Sequence, residues 1–353
     1  MFRKLYHYGI RGNCLLWFKS YLLNIFKYVS YNNHDSSTKE VKCGVPQGSI
    51  LGPLLFLIYV NDLSTVSNSL LDIMFADDTN LFLVEKRLCD LESVMNIELS
   101  KISKWIQVNK LSLNVGKTNF MLFSGRRQVP SIPNIKMNDV EIKCIRKSKF
   151  LGIIIDDKLT WIHHIDHVCK KISKSIGILY KLRPFLNTKY LINMYYCFVY
   201  PYLQYCNEVW GNAYACHLNR LKVLQNRVIR IIGKVDKLDY TDPLFSAGYL
   251  YSKFKILKFS HISDYMIGQI MYKAFFRKLP QSVQSIFVKN DEIHSHSTRQ
   301  SDDFHPPLPK TNLLKMSISF KGVRIWTFIR RRLDVNCTFS CFKSRLKNMY
   351  ISM

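Results

Sequence analysis

The stretch Val41–Val84 constrains this chain more than any other. A loop rich in Gly and Pro, Gly44-Val45-Pro46-Gln47-Gly48, leads into the longest apolar run of the sequence, the eleven residues Ile50–Val60. That run holds Gly52 and Pro53 and falls short of the roughly 20 residues a membrane-crossing helix needs, so it must be covered by protein. Its continuous hydrophobicity after Pro53 predicts a helix over Leu54–Leu63, buried on most sides. Two short segments follow, Leu71–Phe75 and Asn80–Val84, both strand-like, with Asp77-Asp78 at the tight turn between them. A chain that must accommodate both features folds as helices packed on hairpins, an α+β arrangement.

Charge is the second constraint. The 353 residues carry a net charge of +26, and the composition, 48% hydrophobic and 22% charged, is that of a folded protein. Half of that excess is concentrated: residues 101–190 hold 18 Lys or Arg against 5 Asp or Glu. A field of this sign selects polyanions, of which nucleic acid is the commonest, although a Lys-rich codon bias gives the same composition. The ten cysteines form no CxxC pair, and Cys337 and Cys341 have no following His to complete a zinc knuckle. Reduced thiols, no membrane span and no secretory leader lead to the expectation of an intracellular protein without a membrane partner.

Along the chain, residues 2–24 show helical spacing broken at Gly9 and Gly12, and Ile25–Tyr31 with Thr38–Cys43 read as a hairpin about a polar turn at 32–36. Leu88–Asn109 is amphipathic and predicts a helix packed on a sheet. Strands are expected at Thr118–Phe123, Val140–Cys144 and Phe150–Ile155, then helices from Trp161 to Ile232 and a basic helical tail interrupted by the polar stretch Asn290–Lys310.

Of the three Asp-Asp pairs, Asp302-Asp303 lies in a polar linker and Asp156-Asp157 runs into Lys158 as an ordinary surface turn. Only Asp77-Asp78 has strand-forming residues on both sides. The residues by themselves leave two readings open, a solvated turn or carboxylates at the rim of a core that a cation would offset.

Phe75-Ala76-Asp77-Asp78 resembles the aromatic-x-Asp-Asp signature of reverse transcriptases, specifically those of non-LTR (LINE-like, jockey-type) retrotransposons, and the loop 44–53 resembles the companion motif beneath the nascent base pair. Asn109–Thr118 and Phe150–Ile155 resemble the next palm motif and the primer-grip hairpin. The resemblance implies an RNA-directed DNA polymerase with a right-hand palm built on an antiparallel sheet, then a helical thumb and an α-rich tail. The divisions expected are 1–158, 159–240 and 241–353. It implies Asp77 as metal ligand and Asp78 as supporting carboxylate. Gln47 and Gly48 would contact template and nucleotide, Lys117 would lie on the pyrophosphate side, and Leu151-Gly152 would grip the primer. The partners implied are an RNA template, a DNA primer and deoxynucleotides, and the cofactor is Mg2+ (or Mn2+), because two divalent ions about 3.5–4 Å apart neutralise the attacking and leaving oxygens. Lys117 alone reads equally as a solvated charge, and the aromatic run Tyr195–Tyr202 as helical core or as a stacking surface for bases.

In the same family an upstream strand supplies a further essential Asp, and the chain begins at Met1 without it. The expectation is therefore an N-terminally truncated, inactive copy with weak or no metal binding. The alternative function is a non-catalytic nucleic-acid-binding protein derived from a retroelement.

Overall fold

The computed structural model describes residues 1–41, 44–45, 48–125, 131–235, 246–293 and 302–353. They form two compact units, Met1–Ile145 and Arg146–Met353. The first contains α1 (Phe2–His7), α2 (Gly12–Leu22), β1 (Phe26–Lys27), β2 (Ser30–Tyr31), β3 (His34–Asp35), β4 (Lys39–Glu40), α3 (Leu51–Val60), β5 (Leu71–Phe75), β6 (Asp78–Phe82), α4 (Leu88–Val108), β7 (Asn119–Phe120), β8 (Lys136–Met137), β9 (Val140–Glu141) and β10 (Lys143–Cys144). Gly9 and Gly12, both at positive φ, break the first helical stretch in two.

Tight turns set the hairpins of this unit. Asn32-Asn33 and Asn138-Asp139 are each a two-residue loop with both φ positive, closed by the pairs Tyr31↔His34 and Met137↔Val140. Positive φ at both central positions is the type I′ pattern, whose twist matches that of paired strands, and Asn and Asp tolerate it better than most residues. Among the described residues every sheet has two strands, and β7 pairs with β10 in parallel. The single antiparallel sheet expected from the sequence is thus represented by separate pairs. The core of the unit is small: Leu63, Leu70, Leu99, Ile102, Ile135, Met137 and Ile142, with Met74, Leu81 and Leu83 of the β5–β6 region packed against it. Hairpin β5–β6 therefore covers one face and leaves the other, with Leu71, Ile73 and Phe75, in solvent.

The second unit opens with hairpin β11 (Lys147–Phe150) and β12 (Ile153–Asp156). Helices follow: α5 (Ile162–Leu182), α6 (Thr188–Phe198), α7 (Tyr200–Gln204), α8 (Asn207–Trp210), α9 (Ala215–Ile232), α10 (Ala247–Lys253), α11 (Phe259–Phe275), α12 (Gln281–Gln284), α13 (Asn312–Met316), α14 (Ile318–Arg330) and α15 (Phe339–Ile351). Ile165, Val168, Ile172, Ile176 and Leu179 line the buried stripe of α5 at spacings of three and four, and Lys170, Lys171 and Lys174 lie on its exposed side. A buried amide joins three helices and their connections. Gln225 donates from Nε2 to the Tyr195 hydroxyl (2.8 Å) and the Leu257 carbonyl (2.9 Å), and its Oε1 accepts from Phe259 N–H (2.7 Å). Residues on both sides of the division expected at 240/241 thus share one core, and the division expected at 158/159 falls inside this unit. Tyr195 and Val199 are fully buried, which assigns them to that core, and burial drives the Tyr195 hydroxyl pKa well up. Tyr202 and Phe198 remain exposed. Among the described residues no helix is long and apolar enough to cross a membrane.

Candidate functional site

The acidic pair sits at the end of β5–β6. Phe75 pairs with Asp78, so the loop consists of Ala76 and Asp77, and Asp78 is the first residue of β6 rather than part of the turn. Strand register decides where the groups go. Asp78 lies opposite Phe75 and so shares the exposed face with Phe75 and Ile73, while Met74 and Leu81 turn to the core. Both carboxylates are exposed, and among the described residues neither makes an ion pair or a side-chain hydrogen bond. Ala76 has φ +52, a left-handed conformation that costs a residue with a Cβ about 1–2 kcal/mol. The turn is held strained, with its two acids presented to solvent.

The companion loop is partly described. Gln47 lies outside the described residues. Gly48 has φ +81 with open space where a Cβ would stand, so backbone conformation rather than crowding demands glycine there. After it, Ser49 Oγ accepts from Gly52 N–H (3.0 Å) and satisfies one of the unpaired donors at the start of α3. Lys117 ends a short 3-10 turn, Val115–Lys117, whose geometry is fixed by Asn114 Oδ1 accepting from Lys117 N–H (3.2 Å). Its side chain is exposed and has no carboxylate partner among the described residues.

Leu151 and Gly152 belong to the second unit. They are not within a continuous strand, as the apolar pattern of Phe150–Ile155 predicts, but form the two-residue loop of β11–β12. Leu151 has φ +43 and Gly152 φ +85, again the type I′ pattern. Tyr205 clamps the loop: its hydroxyl donates to the Leu151 carbonyl (2.6 Å), and its ring stands 3.3 Å from where a Cβ on Gly152 would be.

Two polar arrangements escape a reading of the sequence. Lys4 of α1 reaches the carboxylate of Asp62 (2.7 Å), with its ammonium 4.6 Å from the Tyr59 ring centroid and 5.1 Å from that of Trp105. One cation thereby joins α1 to α3 and α4. The second is Asp156, which the sequence places in a surface turn and the structure buries, at 4% exposure. Its carboxylate accepts from the backbone N–H groups of Lys158 (3.2 Å), Thr160 (2.9 Å) and Trp161 (2.9 Å) and from the Thr160 hydroxyl (3.2 Å). These bonds hold a loop in which Leu159 (φ +52) and Trp161 (φ +64) are both left-handed. Next to it, burial lowers the pKa of His164 to about 4, so the ring is neutral at pH 7 and packs edge-on to Trp210. Replacing Asp156 by Ala takes the acceptor from three part-buried backbone donors and releases the strained loop. The expected loss is about 3 kcal/mol, a fall in melting temperature of about 6–12 °C in thermal unfolding followed by circular dichroism. A shift below about 1 °C would contradict this role.

The donor set can be compared with what divalent ions require. Carboxylate oxygens suit Mg2+ or Mn2+, and Asp77 and Asp78 supply them side by side. Among the described residues no three His, Cys, Asp or Glu come together to hold a metal. The pair fits part of a metal site.

Comparison with known proteins gives these positions a family. Residues 1–155 match the family described as reverse transcriptase (RNA-dependent DNA polymerase). It is similar to the RNA-directed DNA polymerase from mobile element jockey of Drosophila melanogaster, 29% identical over 225 residues, 61% of this chain and 24% of that protein. The probable RNA-directed DNA polymerase from transposon X-element of the same species is 28% identical over 224 residues, again 61% of this chain and 24% of the relative. A retrovirus-related Pol polyprotein from type-1 retrotransposable element R1 of Bradysia coprophila is 27% identical over 143 residues, 40% of this chain and 14% of that protein. The matched stretch thus spans about a quarter of the length of the first two relatives. At 61% of this chain it is longer than residues 1–155, so similarity continues into the second unit.

Proposed function

We propose that this chain is the part of a retrotransposon RNA-directed DNA polymerase that carries the acidic hairpin of the catalytic centre. The observation that carries the reading is the pair Asp77-Asp78 at a strained hairpin tip, exposed and unpaired among the described residues, inside the matched domain. In this reading the reaction joins deoxynucleotides to a DNA primer copied from an RNA template, with Mg2+ or Mn2+ supplying charge neutralisation when bound. Asp77 is the ligand and Asp78 its support. Gly48, with its positive φ, and Gln47 shape the surface under the new base pair. Lys117 offers an exposed cation to the leaving pyrophosphate. The loop Leu151-Gly152, clamped by Tyr205, is the primer grip. Two carboxylates are fewer than two ions need, and among the described residues no third acid joins Asp77 and Asp78, so metal binding in this reading is weak.

A second reading has its own support. The charge of +26 and the lack of a third metal-binding group near the pair, among the described residues, suit a protein that binds nucleic acid without catalysis. Titration with Mn2+ separates the two. Paramagnetic broadening of backbone amide resonances over residues 72–80 is expected for the natural chain and is expected to vanish in the Asp77→Asn, Asp78→Asn double variant. Identical spectra for the two proteins would reduce the tip to a solvated turn and favour the second reading.

A further inference from the structure

Helices α11, α13, α14 and α15 border a cavity of about 410 Å³ in the second unit, beyond the residues that match the domain. Its wall follows one side of α14, where Phe320, Lys321 and Arg324 recur at helical spacing, while Trp326 and Ile329 on the other side enter the core. Lys315 of α13 adds a third cation, and Asp264 of α11 is the one acidic side chain in the lining, which also holds His261 and Met353.

The charges are not equivalent. Lys321 is tethered, its ammonium donating to Asn212 Oδ1 (2.6 Å) and lying 3.4 Å from Asp264. Asp264 therefore offsets Lys321, and among the described residues Lys315 and Arg324 have no carboxylate of their own. Two uncompensated cations flank a half-buried aromatic ring, with the Arg324 guanidinium 5.9 Å from the Phe320 centroid. Such a set recognises a ligand that is anionic at one end and flat and apolar at the other. The volume lies in the lower part of the ~300–1,000 Å³ span of small-ligand sites, room for one nucleotide and not for a base-paired duplex. The flanking sequence fits a chain of such units: residues 312–353 hold nine Lys or Arg against one Asp.

We propose that this cavity seats one nucleotide of a single-stranded nucleic acid, with the base against Phe320 and a phosphate between Lys315 and Arg324. The inference goes beyond the polymerase reading, because no residue of the acidic hairpin takes part.

The test uses the full chain and a single-stranded RNA carrying 4-thiouridine. Photocrosslinking is expected to label a peptide within 312–353. In fluorescence anisotropy, the Lys315→Ala, Arg324→Ala variant, altered at exposed positions only, is expected to bind about tenfold more weakly. Its plot of log affinity against log salt should be less steep by about 0.7, the contribution of one single-strand phosphate. Lys222→Ala, Lys253→Ala removes the same charge from α9 and α10 and is expected to change affinity less than twofold. Equal losses in the two variants would overturn the proposal, as would crosslinks confined to other segments or equal competition by a blunt duplex. The Asp77→Asn, Asp78→Asn variant should keep the crosslink, so failure here and failure of the metal titration are separate results.

Discussion

Raising salt from about 50 to about 200 mM is expected to weaken binding of an RNA–DNA hybrid by this chain about a thousandfold. Each phosphate neutralised on a duplex contributes about 0.9 to the slope of log affinity against log salt. A chain with net charge +26, and with 18 basic against 5 acidic residues over 101–190, has cations enough to meet about six phosphates. Six contacts give a slope near −5, hence roughly three decades over a fourfold change in salt. The fold supports this, since the apolar stripe of α5 is buried and its Lys170, Lys171 and Lys174 are held together on the exposed side. Contacts to phosphate carry no base information, so hybrids of different sequence should bind within a few-fold of each other. Fluorescence anisotropy at several salt concentrations measures both quantities. Affinity that is flat with salt would mean that the charge is compositional and serves no polyanion.

Periodicity exposed the long elements and concealed the short ones. Leu88–Asn109 reads as an amphipathic helix and α4 is Leu88–Val108, because its apolar side has one core to face. The helices from α5 onward are legible for the same reason. Turns were harder. Val140–Cys144 reads as one strand, yet it contains two, β9 and β10, that pair with different partners. Phe150–Ile155 reads as continuous because Leu151 is apolar, and nothing in its chemistry announces a left-handed backbone. That conformation is imposed from far along the chain by the Tyr205 hydroxyl bond. The parallel pairing of β7 with β10 is likewise a product of tertiary packing and has no local signal.

The site divides in the same way. The acidic tip was legible, since two acids between strand-forming runs admit few placements, although β6 begins at Asp78 and not at Asn80. Asp156 was not. Its neighbours Asp157 and Lys158 are those of any solvated turn, and only the folded loop brings three backbone donors and a hydroxyl onto one carboxylate. The cavity beside α14 was also hidden, because its residues come from four helices separated in sequence.

The largest expected effect concerns catalysis. Carboxylates that hold catalytic ions act as a unit, so loss of one member costs orders of magnitude in rate and does not add simply to the loss of another. Asp77 and Asp78 have no third acidic partner among the described residues. Supplying one on an upstream strand should raise primer extension by at least about a thousandfold, and Asp77→Asn should then remove that gain. Asp78→Asn, which alters the acid proposed as supporting, should cost less. Primer extension on poly(rA)–oligo(dT) with Mg2+ or Mn2+ tests this most directly, comparing the natural 353-residue chain with one bearing a grafted upstream palm strand that provides an Asp. The expected result is extension by the grafted chain alone, abolished by Asp77→Asn. Extension by either protein that survives Asp77→Asn would contradict the assignment of the β5–β6 tip as the catalytic acid pair.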